Sequence, residues 1–153
     1  MSKSGGIFAS LFGGSDQEVL LKEHHRVSRE EAYDDVATVY YDICLPSGLK
    51  VGNLDLRLTM NDYMYYYGHI GYHVYRFYRG HNYAYKACRK VFQIAKEEFG
   101  MEELIITCCP DNLPSLRTLE KLGGELIETV DVPRHHELWL RGEKVKCIFK
   151  YKL

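Results

Sequence analysis

Between residues 68 and 109 the hydrophobic pattern changes period twice. Gly68 to Tyr75 reads as a strand. Ala84, Ala87, Cys88, Val91, Ile94, Ala95 and Phe99 then recur at helical spacing, which predicts a helix over Tyr85 to Phe99. Gly100 closes it. Leu104 to Cys109 is a continuous apolar run, the pattern of a strand buried on both faces. Strand, helix and strand in this order imply a parallel pair joined by a right-handed crossover.

The flanks complete the plan. Glu18 to Val27 reads as a first strand, and Ser28-Arg29-Glu30-Glu31 resembles a helix start with an acidic first turn. Val36 to Cys44 is β-branched and aromatic, hence a strand. Pro46-Ser47-Gly48 is a turn. Lys50 to Thr59 alternates Val51, Leu54, Leu56 and Leu58 against polar residues, giving a half-buried strand and a hairpin. Ser115 to Leu122 reads as a short helix ended by Gly123-Gly124. Leu126 to Val132 and Val145 to Tyr151 are the last strands, with a polar loop at 133–144 between them. The fold class is therefore α/β (α+β), with a mixed, mostly antiparallel central sheet around a parallel strand–helix–strand core. Residues 1–16, Gly/Ser-rich with one apolar hexad, read as a flexible tail, and 17–153 as one domain.

Several function classes fall away on composition. A formal charge of −1 gives no general attraction to nucleic acid or anionic membrane. No run reaches the ~20 apolar residues of a membrane span, and Ile7–Phe12 is too short for a signal-peptide core. The 5 cysteines are odd in number and form no C-x-x-C pair, which argues for reduced thiols in a cytoplasmic protein and against a disulfide framework or zinc. His24-His25 and His135-His136 are adjacent pairs, whose side chains point apart in a strand, so no metal is expected.

One segment carries chemistry. Tyr78-Arg79-Gly80-His81-Asn82-Tyr83-Ala84 lies between the strand and the long helix. The first N–H groups of a helix have no partner within it and can point at a phosphate, and glycine permits close approach. Arg79-Gly-His-Asn-Tyr-Ala84, behind its strand, resembles the acetyl-CoA motif of the GNAT N-acetyltransferase superfamily, Gln/Arg-x-x-Gly-x-Gly/Ala. Asn112-Leu-Pro-Ser115 followed by Glu120-Lys121-Leu-Gly123 is similar to that family's second signature, Asn-x-x-Ser…Glu-Lys-x-Gly. The closest likeness in motif is to the ribosomal-protein N-terminal acetyltransferase branch.

The resemblance implies direct acetyl transfer from acetyl-CoA to a primary amine in a ternary complex, without a covalent enzyme intermediate. It implies that backbone groups of Val74 and Tyr75 pair with the pantetheine arm. Amides of Arg79, Gly80, Asn82, Tyr83 and Ala84 would hold the pyrophosphate, and Asn112 would reach the arm from the far side. Ser115 would stand beside the sulfur, as a thiolate-side donor or as a plain helix N-cap. The sequence departs from the family at Asn82, where a glycine is expected, and at Leu119, where many members carry a proton-donating tyrosine. These departures motivate an alternative, a catalytically weak or inactive acyl-CoA-binding or regulatory module.

On the acceptor side, His73 is the candidate base, with Asp55 and Glu103 as acidic alternatives. Tyr65 and Tyr67, in the Tyr63–Tyr67 run, could wall an acceptor, either a small-molecule amine or a peptide N-terminus. No nucleic acid or membrane partner is expected, and the chain is a monomer or homodimer.

Overall fold

The computed structural model describes residues 17–153; the tail expected over 1–16 lies outside them. Among the described residues seven strands and three α-helices follow in order: β1 (Leu20–Val27), β2 (Thr38–Cys44), β3 (Lys50–Arg57), β4 (Ile70–Val74), α1 (Tyr83–Glu97), β5 (Glu103–Cys108), α2 (Leu113–Lys121), β6 (Glu125–Asp131), α3 (Glu137–Leu140) and β7 (Val145–Lys152). They form two antiparallel sheets, β1-β2-β3-β4 and β5-β7-β6.

The parallel β4–β5 ladder implied by the crossover does not form. The two strands touch only at a narrow seam. Gly68 bridges Ile106, the His69 amide donates to the Ile105 carbonyl at 2.8 Å, and the Ile105 amide donates to His69 Nδ1 at 2.9 Å. Beyond the seam, β4 has no strand neighbour on one edge among the described residues. α1 holds the sheets together from one side. Tyr83, Ala87, Cys88, Val91 and Ala95 form its buried stripe and share one core with Leu54 and Leu56 of β3, Leu104 and Ile106 of β5, and Phe149 and Tyr151 of β7. The small side chains of that stripe let the helix axis lie close to the strands.

Two local expectations change. The Ser28–Glu31 start signal forms its hydrogen bonds, Ser28 Oγ to Glu31 at 2.7 Å and the Glu31 amide to Ser28 Oγ at 3.3 Å. Yet the chain makes only turns there. No apolar stripe follows to bury: Tyr33 is fully exposed, and Asp35 is already left-handed at φ 62°. Conversely, the polar loop at 133–144 contains α3. The buried His136 ring caps it, accepting the Leu138 amide on Nδ1 at 3.1 Å, and its Nε2 lies 2.8 Å from the Tyr63 carbonyl. With Nδ1 accepting, Nε2 carries the proton and donates.

Candidate active site

Where β4 and β5 part, a cleft of about 620 Å³ opens between β4, the α1 turn and α2. It lies within the size range of small-molecule sites. One wall is β4 with the turn that follows it. The other is the start of α2, which follows β5.

The turn has the backbone that a phosphate cradle requires. Gly80 has φ 91°, and nothing lies within 4 Å of where its Cβ would be. Asn82 adopts the left-handed conformation, φ 60° and ψ 23°, as the N-cap of α1, and its side chain makes no capping bond. The expected glycine is thus replaced by one of the few L-residues that enter this region readily. Arg79 is exposed, and its Nε donates to the Val74 carbonyl at 3.0 Å, tying the turn back to the strand end.

Strand alternation decides which β4 groups face the cleft. The Tyr75 amide donates to the Val51 carbonyl at 2.8 Å, and Gly52 stands opposite Val74. In an antiparallel ladder, bonded and non-bonded pairs alternate, so the peptide groups of Tyr72 and Val74 point away from β3, toward the cleft. The expected Val74 position therefore suits an added strand, but Tyr75 does not, because its amide is already paired inside the sheet. Tyr75 is also absent from the cleft lining, its ring lying 5.9 Å from that of His73. Tyr72 takes its place, a residue that sequence reasoning missed.

On the far wall, α2 begins at Asn112, whose Oδ1 accepts the Ser115 amide at 3.4 Å. Asn112 is the N-cap and Ser115 the third helical residue, so the N-cap reading of Ser115 is corrected. Its hydroxyl is available for other contacts, and the Tyr72 hydroxyl lies 3.4 Å from it. Burial pushes the Tyr72 phenol up to about 12. Ser115, Thr118 and Lys121 share the cleft-facing side of α2, a helical spacing that could have been read outward from Ser115. Leu119 is off this row, fully buried in the core.

His73 lines the cleft and is exposed. Asp55 is paired with Arg57 at 2.7 Å, and burial raises its carboxyl above the usual range although Arg57 opposes the shift. Glu103 pairs with Lys150 at 3.1 Å. Neither acid lines the cleft. Tyr65 and Tyr67 do not line it either. Their hydroxyls bond to Glu128 and Glu137, before the start of β4. The five residues of β4 separate them from the anion turn by about 16 Å at strand rise.

Comparison with known proteins follows the same lines. The solved structures it resembles are acyltransferase folds. An acetyltransferase of the GNAT family from Bacillus anthracis superposes with a TM-score of 0.59 at 20% identity, covering 74% of this chain and 65% of that one. A ribosomal-protein-S5-alanine acetyltransferase from Vibrio fischeri gives 0.59 at 13% identity over 75% and 61%. The microcin C7 self-immunity acetyltransferase MccE, solved with acetyl-CoA and AMP, gives 0.56 at 16% identity over 76% and 61%. At these identities the likeness establishes the fold. The family model of the acetyltransferase (GNAT) domain matches residues 15–125, and the chain belongs to that family. Among curated proteins, the uncharacterised N-acetyltransferase YnaD of Bacillus subtilis is 28% identical over 83 residues, 48% of this chain and 49% of that protein. The chain thus spans about half the length of that relative. No helix among the described residues is long and apolar enough to cross a membrane.

Proposed function

We propose that this chain transfers an acetyl group from acetyl-CoA to a primary amine, carried by a small molecule or a peptide N-terminus, by direct attack in a ternary complex. The observation that carries this reading is the cleft's order of parts: an anion-competent helix start, a free strand edge leading away from it, and hydroxyls on both walls. A nucleotide–pantetheine thioester needs those parts in that order.

The fit rests on backbone geometry. Gly80 and the left-handed Asn82 expose the first turn of α1, where Ala84 and its neighbours offer amides to a pyrophosphate. The Tyr72 and Val74 peptide groups offer the arm a strand-like edge. Ser115 faces them. The thioester supplies an activated acyl group; the protein aligns it and removes competing water. Attack requires the neutral amine, so a proton must leave the nitrogen, and His73 at the cleft takes it directly or through water. Of the two departures that motivated a non-catalytic module, Asn82 takes the left-handed backbone that glycine favours, and Leu119 is buried in the core, so any thiolate-side donor has to come from elsewhere in the cleft. Five free thiols support a cytoplasmic setting.

The test is a thermal shift with coenzyme A, followed by thiol release from acetyl-CoA with a panel of amines. Stabilisation with turnover on at least one amine is expected. Absence of any coenzyme A binding would sink the proposal.

A further inference from the structure

We infer that Tyr72, on β4, is the hydrogen-bond donor that receives the leaving thiolate, and that Ser115 orients it. This rests on the acetyl-CoA reading of the cleft. α2 carries no tyrosine. Its position 119 is a leucine with 0% exposure, and the Leu119 carbonyl already accepts the Tyr151 hydroxyl at 2.7 Å. No phenol on α2 faces the cleft.

β4 supplies one instead. Tyr72 lines the cleft, half-buried, with its hydroxyl 3.4 Å from Ser115 Oγ. That distance is at the long limit of a hydrogen bond. The phenolic hydrogen can therefore turn to a closer, more basic acceptor when one arrives. The same residue's peptide group lies on the free edge of β4, so an arm paired along Val74 and Tyr72 is led to this hydroxyl. The groups packed around the phenol are Ser115 and Thr118 on α2, Cys88 on α1, and Cys108 on β5, with Tyr151 on β7 near by. None is a carboxylate or a formal cation, and burial pushes the thiols of Cys88 and Cys108 and the Tyr151 phenol up, so they stay neutral. The cleft's cations are Arg79 in the turn after β4 and Arg117 and Lys121 on α2.

The chemistry is donation without proton loss. The amine nitrogen forms the new N–C bond. The C–S bond breaks with its electron pair on sulfur, and the proton shed by nitrogen goes to solvent by way of His73. Tyr72 keeps its own proton. Its phenol, pushed up to about 12, is about 3.5 pKa units less acidic than an ordinary thiol near 8.5, so proton transfer to the thiolate is unfavourable. A fixed donor aimed where charge develops stabilises the transition state more than the ground state.

The test is an ultraviolet titration of the thiol of bound coenzyme A, with acetyl transfer measured alongside. In the unaltered protein the bound thiol should ionise at lower pH than free coenzyme A. Tyr72→Phe should raise its apparent acid constant's pKa by about one unit and slow transfer about tenfold to a hundredfold, while the coenzyme still binds. Ser115→Ala should move the thiol less than about threefold, as expected of a positioning residue. If Tyr72→Phe binds coenzyme A and leaves the thiol unmoved, the inference is overturned while the acetyltransferase reading stands. If Tyr72→Phe does not fold, Ser115→Ala decides. A full loss of the thiol shift there makes Ser115 the donor and overturns the assignment, and its persistence supports Tyr72. Failure of the unaltered protein to bind coenzyme A overturns the cleft reading and this inference with it.

Discussion

Both walls of the cleft are a strand, a turn and a helix, and both helices begin at an asparagine. The two asparagines act in opposite ways. Asn112, at φ −83°, turns its side chain onto the helix it starts and accepts the Ser115 amide. Asn82, at φ 60°, makes no such bond, and α1 starts beside the cleft. Residue type is the same; backbone conformation decides whether the side chain caps the helix or the helix end stays available to a ligand. A self-capped start serves the fold alone; the start without a side-chain cap, set against a cleft, is the one the proposal gives to the ligand.

The largest expected effect on this pairing comes from the seam that sets the two walls apart. His69 is pushed down to about 4 by burial and by Arg57. The folded state therefore holds it neutral, accepting the Ile105 amide. The unfolded chain takes up the proton first, so stability is complete above about pH 6.5 and falls as pH drops from there toward 4, by about 3 kcal/mol. His69→Asn, which keeps an acceptor but cannot titrate, should flatten that slope in urea unfolding at pH 7, 5 and 4.

Asn82→Val puts a β-branched residue at positive φ. It should cost about 2 kcal/mol in thermal or urea unfolding and weaken coenzyme A binding about tenfold. Asn112→Ala removes the cap at α2 and should cost about 1 kcal/mol, with a smaller loss in coenzyme A affinity. The smallest effect belongs to Asn82→Gly, which should leave coenzyme A affinity within about threefold or improve it. A large loss by calorimetry would show that the asparagine side chain itself holds the ligand.

The strands and the two longer helices were legible because their burial is periodic: the stripe from Tyr83 to Ala95 and the alternation of Val51, Leu54 and Leu56 are both local patterns. What failed was what periodicity does not encode. Ser28–Glu31 has a correct start signal but no face to bury. α3 is too short for a period, and it is anchored where the His136 ring stacks on Tyr63 and bonds to its carbonyl. The cleft turn was legible from its residues. Tyr72 was not, since one strand tyrosine among 13 acquires meaning only when the fold brings Ser115 opposite it. Tyr75 was misassigned for a similar reason: a strand has two edges, and only the pairing with Val51 shows which one is free.

The bond from Arg79 to the Val74 carbonyl acts as a ruler. It sets the span between the turn proposed for the phosphates and the Val74 end of the strand edge. A ligand with a phosphate at one end and an extended arm at the other meets two grips held at a set separation, so its second contact is intramolecular. Affinity for the joined molecule then exceeds what its halves achieve separately, through effective concentration rather than any added contact. Selection by this cleft is in that sense a measurement of length as much as a reading of chemical groups.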